Sequence, residues 1–183
     1  MQSVAIPFAL LFALVSASGS LDPVNPILQE YQDVGECFKV PETYYMIYTN
    51  TKHPFILPCT HNRQLCVGKN GETPYELRSL KDGKLVRRVV TFRAEKSPCY
   101  NVPNIQRAPK NDGAQLPAYD FMIAYADCGN CVVAKLPTIS PDACAMFVTN
   151  PDVPPSRCCL FTYALLCGST KIPSYEKDKC ANV

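Results

Sequence analysis

The sequence predicts an all-β domain, an eight-stranded antiparallel barrel with one C-terminal helix, rich in disulfides. Three observations carry this. Short β-prone runs recur at near-even spacing with turn residues between them. An Asp82-Gly83 pair sits between two such runs, a strong hairpin signal. The late apolar segment Cys158 to Cys167 has a helical stripe and ends at Gly168. Eight strands enclose an interior able to hold one small ligand. The competing architecture is an immunoglobulin-like sandwich, whose antibody form needs a buried Trp between bridged cysteines; the chain has no Trp.

Taken in order, Ala5 to Val15 is apolar throughout and is followed by Ser16, Ala17, Ser18 and Gly19, which reads as a secretory signal peptide over residues 1–18. The run is too short to cross roughly 30 Å of hydrocarbon as a helix. Residues 19–183 then form a single domain. Val24 to Asp33 is expected as a short helix opening at Pro26, with Ile27, Leu28 and Tyr31 on one side. Strands follow at Thr43 to Asn50, Arg63 to Gly68, Tyr75 to Leu80 and Lys84 to Arg93. Cys99 to Arg107 is a weaker strand, interrupted by Pro103. Tyr119 to Tyr125 alternates, with Tyr119, Phe121, Ile123 and Tyr125 on one face and Asp120, Met122 and Ala124 on the other. Cys131 to Leu136 and Cys144 to Thr149 complete the set. Pro154-Pro155-Ser156 opens the helix, whose buried stripe is expected at Leu160, Tyr163, Ala164 and Cys167.

A formal charge of +2 spread without basic runs makes nucleic acid an unlikely partner. All 11 cysteines lie beyond the leader, a density that in an oxidising compartment means disulfides. Five bridges would leave one thiol over. Cys128 and Cys131 have the C-x-x-C spacing of a zinc knuckle or redox pair, but no second close pair completes a metal set, and no cofactor is expected. Two histidines, His53 and His61, with no G-x-S-x-G elbow and no H-E-x-x-H, leave no base set near a nucleophile, so catalysis is not expected.

Tyr44-Tyr45-Met46 in the first strand, Cys66-Val67-Gly68, Ile123-Ala124-Tyr125 followed by Asn130-Cys131, Val153-Pro154 ahead of Cys158-Cys159, and the late Cys180 occur in an order and spacing that resembles tick salivary lipocalins of the histamine-binding type. The similarity runs from about Val24 to Cys180. It implies an eight-stranded lipocalin barrel, secreted into saliva, that captures host mediators of inflammation and haemostasis. It also suggests two bridges, Cys66 with Cys180, and Cys131 with Cys158 or Cys159. Cys144 with Cys167, and Cys37 with the remaining member of the Cys158-Cys159 pair, are further expectations, although spacing alone does not fix connectivity.

An ammonium taken out of water must be paired with carboxylates to stay charged. Amine-binding members of the family carry Cys-Asp on the seventh strand and Glu-Leu-Trp on the eighth. This chain has Cys131-Val132 and Ala145-Met146-Phe147 at the matching positions, so both acids and the indole are missing. The match turns Val132, Ala145 and Phe147 inward, with Tyr119, Phe121, Ile123 and Tyr125 beside them and Tyr45 on the first strand as a further lining residue. Such a lining favours an eicosanoid or fatty acid over histamine or serotonin. Arg87 and Arg93 on one face of the fourth strand, Arg88 on the other, and Arg78 on the third are candidates to hold a ligand carboxylate; Arg87 and Arg93 are the preferred pair. Among acids that could rescue amine binding, Glu72, Glu76, Asp82, Glu95, Asp120 and Asp127, Asp120 is the first candidate. The partner is thus a small host mediator, amine or lipid, held by a monomer. The rival reading is a module that plugs its own barrel and presents loops, Lys52 to Asn62 and Pro103 to Pro117, to a host protein.

Overall fold

In the computed structural model the described residues are 25–37, 39, 41–108 and 119–183; the expected leader and most of the Pro103 to Pro117 loop lie outside them. Strands β1 (Thr43–Thr49), β2 (His61–Gln64), β3 (Glu72–Lys81), β4 (Lys84–Glu95), β5 (Ile105–Ala108), β6 (Tyr119–Asp127), β7 (Cys131–Lys135) and β8 (Cys144–Val148) pair antiparallel in sequence order, β8 returns to β1, and β1 also pairs with β2. The barrel is therefore closed. Closure needs β1 to serve two neighbours on one edge: Thr43 to Tyr45 face β2, while Tyr48 and Thr49 face the two-residue β9 (Ile172–Pro173).

The hairpin between β3 and β4 turns on Asp82 and Gly83, both with positive φ, 52° and 73°, as a two-residue turn matched to strand twist requires. Helix α2 (Arg157–Cys167) follows the prolines, and the Ser156 hydroxyl accepts from the Cys159 N–H at 3.3 Å. It lies outside the barrel on β6, β7 and β8. Lys135 donates to the carbonyl of Leu166 at its C-terminal end, 2.9 Å away. A short α1 (Val34–Cys37) closes one end of the barrel, and α3 (Lys177–Cys180) ends the chain. Among the described residues no helix is long and apolar enough to cross a membrane.

The wall β6, β7, β8 and β1 separates two apolar clusters. Tyr44, Met46, Ile123, Val132, Ala134, Ala145 and Phe147 fill the inside. Ile47, Ala124, Val133, Met146 and Val148 pack outward against Cys159, Tyr163 and Cys167 of α2. One extra residue in each of β1 and β6, at Ile47 and Ala124, shifts register and reverses the inward-outward order beyond it. Buried Gln32 donates to the carbonyl of Ala124 at 3.1 Å and so holds the β6 bulge.

Several expectations are corrected. The second strand ends at Gln64 rather than Gly68, since Leu65, Cys66 and Val67 are exposed in the following loop. The fifth begins only at Ile105, because Cys99 has φ 65° in a turn and Pro103 lacks a donor. The first helix is a 3-10 turn, Pro26–Tyr31, with Ile27 and Tyr31 exposed. In α2 Cys159, rather than Ala164, completes the buried stripe with Tyr163 and Cys167.

Four disulfides use eight of the cysteines: Cys37–Cys128, Cys59–Cys180, Cys131–Cys159 and Cys144–Cys167. Cys66, Cys99 and Cys158 are exposed thiols, so four bridges replace the five expected. Cys180 joins Cys59, not Cys66, because the tail is hydrogen-bonded to the β1–β2 loop: Cys59 N–H donates to Ser174 at 2.7 Å and Ser174 N–H to Ile47 at 2.9 Å. Cys37 joins Cys128, not Cys158, because α1 lies against β6, whose end leads into the turn carrying Cys128. The C-x-x-C cysteines thus belong to two separate bridges. Cys131–Cys159 and Cys144–Cys167 fasten both ends of α2 to adjacent strands.

Cys59→Ser breaks a bridge spanning 121 positions and is expected to lower stability by about 2–5 kcal/mol, whereas Cys66→Ser leaves it unchanged; urea unfolding of both variants checks this. Burial between α2 and the barrel wall pushes the Tyr163 phenol up to about 12. A raised folded value means stability present below the unfolded value of about 10 and lost as pH rises toward 12. Urea midpoints measured across that alkaline window should fall, and fall less in Tyr163→Phe.

Candidate functional site

The barrel interior holds two small cavities, of about 60 Å³ toward the β1–β2 and β7–β8 loops and about 30 Å³ toward α1. Their linings share three residues, Asn62, Phe121 and Phe147. The Phe121 and Phe147 rings meet edge to face with centroids 5.8 Å apart and form the partition. They end a row of such contacts that runs from Tyr75 through Phe92 to Phe121, at 5.5 and 5.6 Å. The interior expected to hold one small ligand is therefore largely filled by the chain's own rings. The Asn50 side chain braces the open end, donating to Asp142 at 2.7 Å and accepting from the Cys144 N–H at 2.8 Å.

Polar groups enter from the other wall. On β4 the inward parity is Val86, Arg88, Val90 and Phe92, and Arg88 lines the outer cavity with Leu77, Ser79 and Tyr119. Burial raises the Tyr119 phenol, and the Arg88 charge works against that rise. Among the described residues no carboxylate pairs with Arg88. At the inner end Tyr44 and Asn62, opposed across β1 and β2, face the cavity with Tyr75 and Gln106. Burial, with a smaller contribution from Glu42, pushes the Tyr44 phenol up to about 12.

Of the residues expected in the lining, Phe121 and Phe147 border both cavities, Ile123 and Val132 the inner one, Tyr119 the outer one, and Ala145 is buried in the same interior cluster. Tyr45 and Tyr125 are corrected: both face outward. Tyr45 packs on His61 and Tyr175, with ring centroids 5.2 and 5.5 Å away, because the inward position on β1 belongs to Tyr44 and Met46. Tyr125 lies beyond the Ala124 bulge and joins the cluster under α2. Arg87 and Arg93 are corrected as well. Both are exposed on the outer face, and Arg93 pairs with Glu72 at 2.8 Å. Phe92, of the same parity as Arg88, was the signal that could have fixed the face.

The candidate acids do not reach the interior. Asp120 accepts from Arg107 at 2.9 Å, Glu95 from Arg107 at 2.7 Å, and Glu76 from Arg78 at 2.7 Å, all on the outside. The Arg78 hydrogen bond holds the Glu76 carboxyl below its ordinary range. Neither cavity lining contains an Asp or Glu among the described residues. Tyr44 and Asn62 are polar lining residues absent from the sequence expectations, and Arg88, a candidate there behind Arg87 and Arg93, is the β4 arginine that borders a cavity.

The sequence matches the family described as tick histamine binding protein over residues 24–182. No curated protein matches it. Among solved structures the fold resembles AM182 in its serotonin complex, with 15% identity, TM-score 0.59, and 88% of this chain and 97% of that one covered. It also resembles japanin from Rhipicephalus appendiculatus bound to cholesterol, at 16% identity and TM-score 0.52, covering 74% and 93%. Insecticyanin from the tobacco hornworm Manduca sexta aligns at 13% identity and TM-score 0.57, covering 82% and 85%. These identities carry the fold alone, which is the closed lipocalin barrel. The family match extends across every strand of that barrel, and the chain therefore belongs to the tick histamine-binding protein family.

Proposed function

We propose that this is a secreted, monomeric lipocalin that captures a hydrophobic carboxylic acid of the eicosanoid or fatty-acid type, a host mediator of inflammation or haemostasis, and so suppresses host defence. The single observation that carries the reading is Arg88. Arg78 and Arg88 are the charged residues bordering the barrel cavities; Arg78 is engaged by Glu76, and Arg88 is half-buried without an ion pair among the described residues. A guanidinium in that position is matched by a carboxylate, which it can hold through two parallel hydrogen bonds. The rest of the lining is aliphatic and aromatic. An amine has no acid there to balance its charge. Structural neighbours of the same fold are bound to serotonin, an amine, and to cholesterol, a neutral lipid. All of these residues come from one barrel, so one chain suffices. Four disulfides suit an extracellular setting, as does the leader expected over residues 1–18.

The bound state requires Phe121 and Phe147 to swing apart and join the two cavities. One observation favours a second reading: closed as it is, the interior is far below the several hundred Å³ usual for a ligand pocket, as suits a barrel plugged by its own rings that presents its β1–β2 loop to a host protein.

Arachidonic acid is expected to bind, its methyl ester and histamine to bind poorly, and Arg88→Gln to weaken the acid about ten- to a hundredfold without affecting the ester, as loss of a charge-assisted hydrogen bond implies. Arg87→Gln, on the outer face, should change nothing. Isothermal titration checks both variants; equal affinity of acid and ester would remove the carboxylate clamp. Phe147→Ala should increase uptake of a hydrophobic fluorophore, and no uptake by either native protein or variant would favour the plugged barrel.

A further inference from the structure

We infer that the ligand carries a hydroxyl group, and that Tyr44 and Asn62 read it together inside the barrel. This rests on the reading of the interior as the binding site and adds which molecules fit it. Tyr44 on β1 and Asn62 on β2 are cross-strand partners with both side chains turned inward. The Tyr44 hydroxyl and the Asn62 Oδ1 are buried and have no hydrogen-bond partner among the described residues. Tyr44 as a whole is 5% exposed. A buried polar group left unpaired costs about 1–3 kcal/mol. Two on facing residues, both bordering the same void, mark a place where a partner belongs.

Neighbouring side chains do not supply it. Tyr75 is already engaged by Gln64 and Gln106. The chemistry of the pair is also specific. Burial keeps the Tyr44 phenol protonated, so it offers a hydrogen, while an amide oxygen only accepts. A hydroxyl both accepts and donates from a single atom and satisfies the two at once. A carboxylate would answer Tyr44 but set one acceptor against another at the Asn62 oxygen, with no hydrogen between them. An ammonium would answer Asn62 and leave the phenol hydrogen unused, with no acid nearby.

Space agrees with this assignment. The inner cavity, about 30 Å³, admits a group the size of a water molecule but not a length of hydrocarbon. Asn62 borders both cavities, so a hydroxyl held there leaves the attached chain to run past Phe121 and Phe147 toward Arg88 in the outer cavity. The ligand class is then a hydroxylated long-chain acid rather than an unsubstituted one.

The test is competitive titration of the native protein with arachidonic acid and with its monohydroxylated derivatives substituted early, midway and late along the chain. At least one derivative should bind about tenfold more tightly than the parent, and this ratio, taken within each protein, falls to within about twofold in both Tyr44→Phe and Asn62→Leu. Near-ultraviolet circular dichroism establishes that the variants are folded, and the preference of the native protein is a readout that needs neither. No preference among the acids, or a preference that survives both substitutions, overturns the inference and leaves the Arg88 clamp standing. Failure of every acid to bind overturns both.

Discussion

The constraint on which this structure turns is that one wall of the barrel must be apolar on both sides. Strands β6, β7 and β8 have the barrel core on one face and α2 on the other, with Ile47 of β1 joining the outer cluster, and the buried residues of β7 and β8 are accordingly continuous. Helix α2 contributes few large buried side chains of its own, namely Tyr163 with two half-cystines. Its place is fixed by Cys131–Cys159 at one end and Cys144–Cys167 at the other. The short loops these bridges close restrict the unfolded chain at about 3 kcal/mol each, comparable with burying one or two large side chains. The helix shields the outer face of the wall, and the wall can then carry bulges without exposing apolar surface.

That division of labour determines where chemistry can sit. A wall buried on both sides has no tolerance for unpaired polar groups, so the interior's polarity comes from strands whose backs face water. Asn62, Arg88, Ser79 and Gln106 lie on β2 to β5, and Tyr44 lies where β1 meets β2. The outer faces of these same strands hold the ion pairs Arg78–Glu76, Arg93–Glu72 and Arg107–Asp120. Glu72, Glu76, Glu95 and Asp120, acids that the sequence offers to a cationic ligand, are committed to arginines in solvent, and the interior keeps one cation and no anion among the described residues.

The same constraint explains what could and could not be read from the sequence. Where strands have one wet face, the Asp82-Gly83 turn marks the adjoining ends of β3 and β4 to within one residue, while their far ends run on to Glu72 and Glu95, beyond the expected Tyr75 and Arg93. Parity on β4 was legible from Phe92, which shares its face with Arg88, but the outward run of Leu85 and Val89 is apolar enough to mask it. On β1, and on β6 beyond Ile123, alternation misleads, because Tyr44 and Tyr45, or Ile123 and Ala124, are apolar to either side and a bulge reverses the order. The bulges at Ile47 and Ala124 depend on the partner strand and, at Ala124, on a hydrogen bond from Gln32, 92 positions away. Hence Tyr45 and Tyr125 were misplaced, while Phe121, Ile123, Val132 and Phe147 lie inside. The tail bridge was hidden for a related reason: Cys59 and Cys180 meet only because β9 and Ser174 pair with the end of β1 and its loop.

Whether the closed interior can open is a question of competing magnitudes. The Phe121–Phe147 edge contact is worth about 0.5–1.5 kcal/mol beyond simple burial, and the rings that part do not enter water but turn against a ligand of similar polarity. A hydrocarbon tail that removes on the order of 200 Å² of its own apolar surface from water gains about 5 kcal/mol. Pairing the Arg88 guanidinium and satisfying Tyr44 and Asn62 add to the same side. On the proposed reading the partition is weak relative to the ligand that displaces it, whereas an amine would have to part the same rings and then sit beside a cation. The aromatic row keeps the barrel from standing open and empty, and selection falls to the few polar groups that line it.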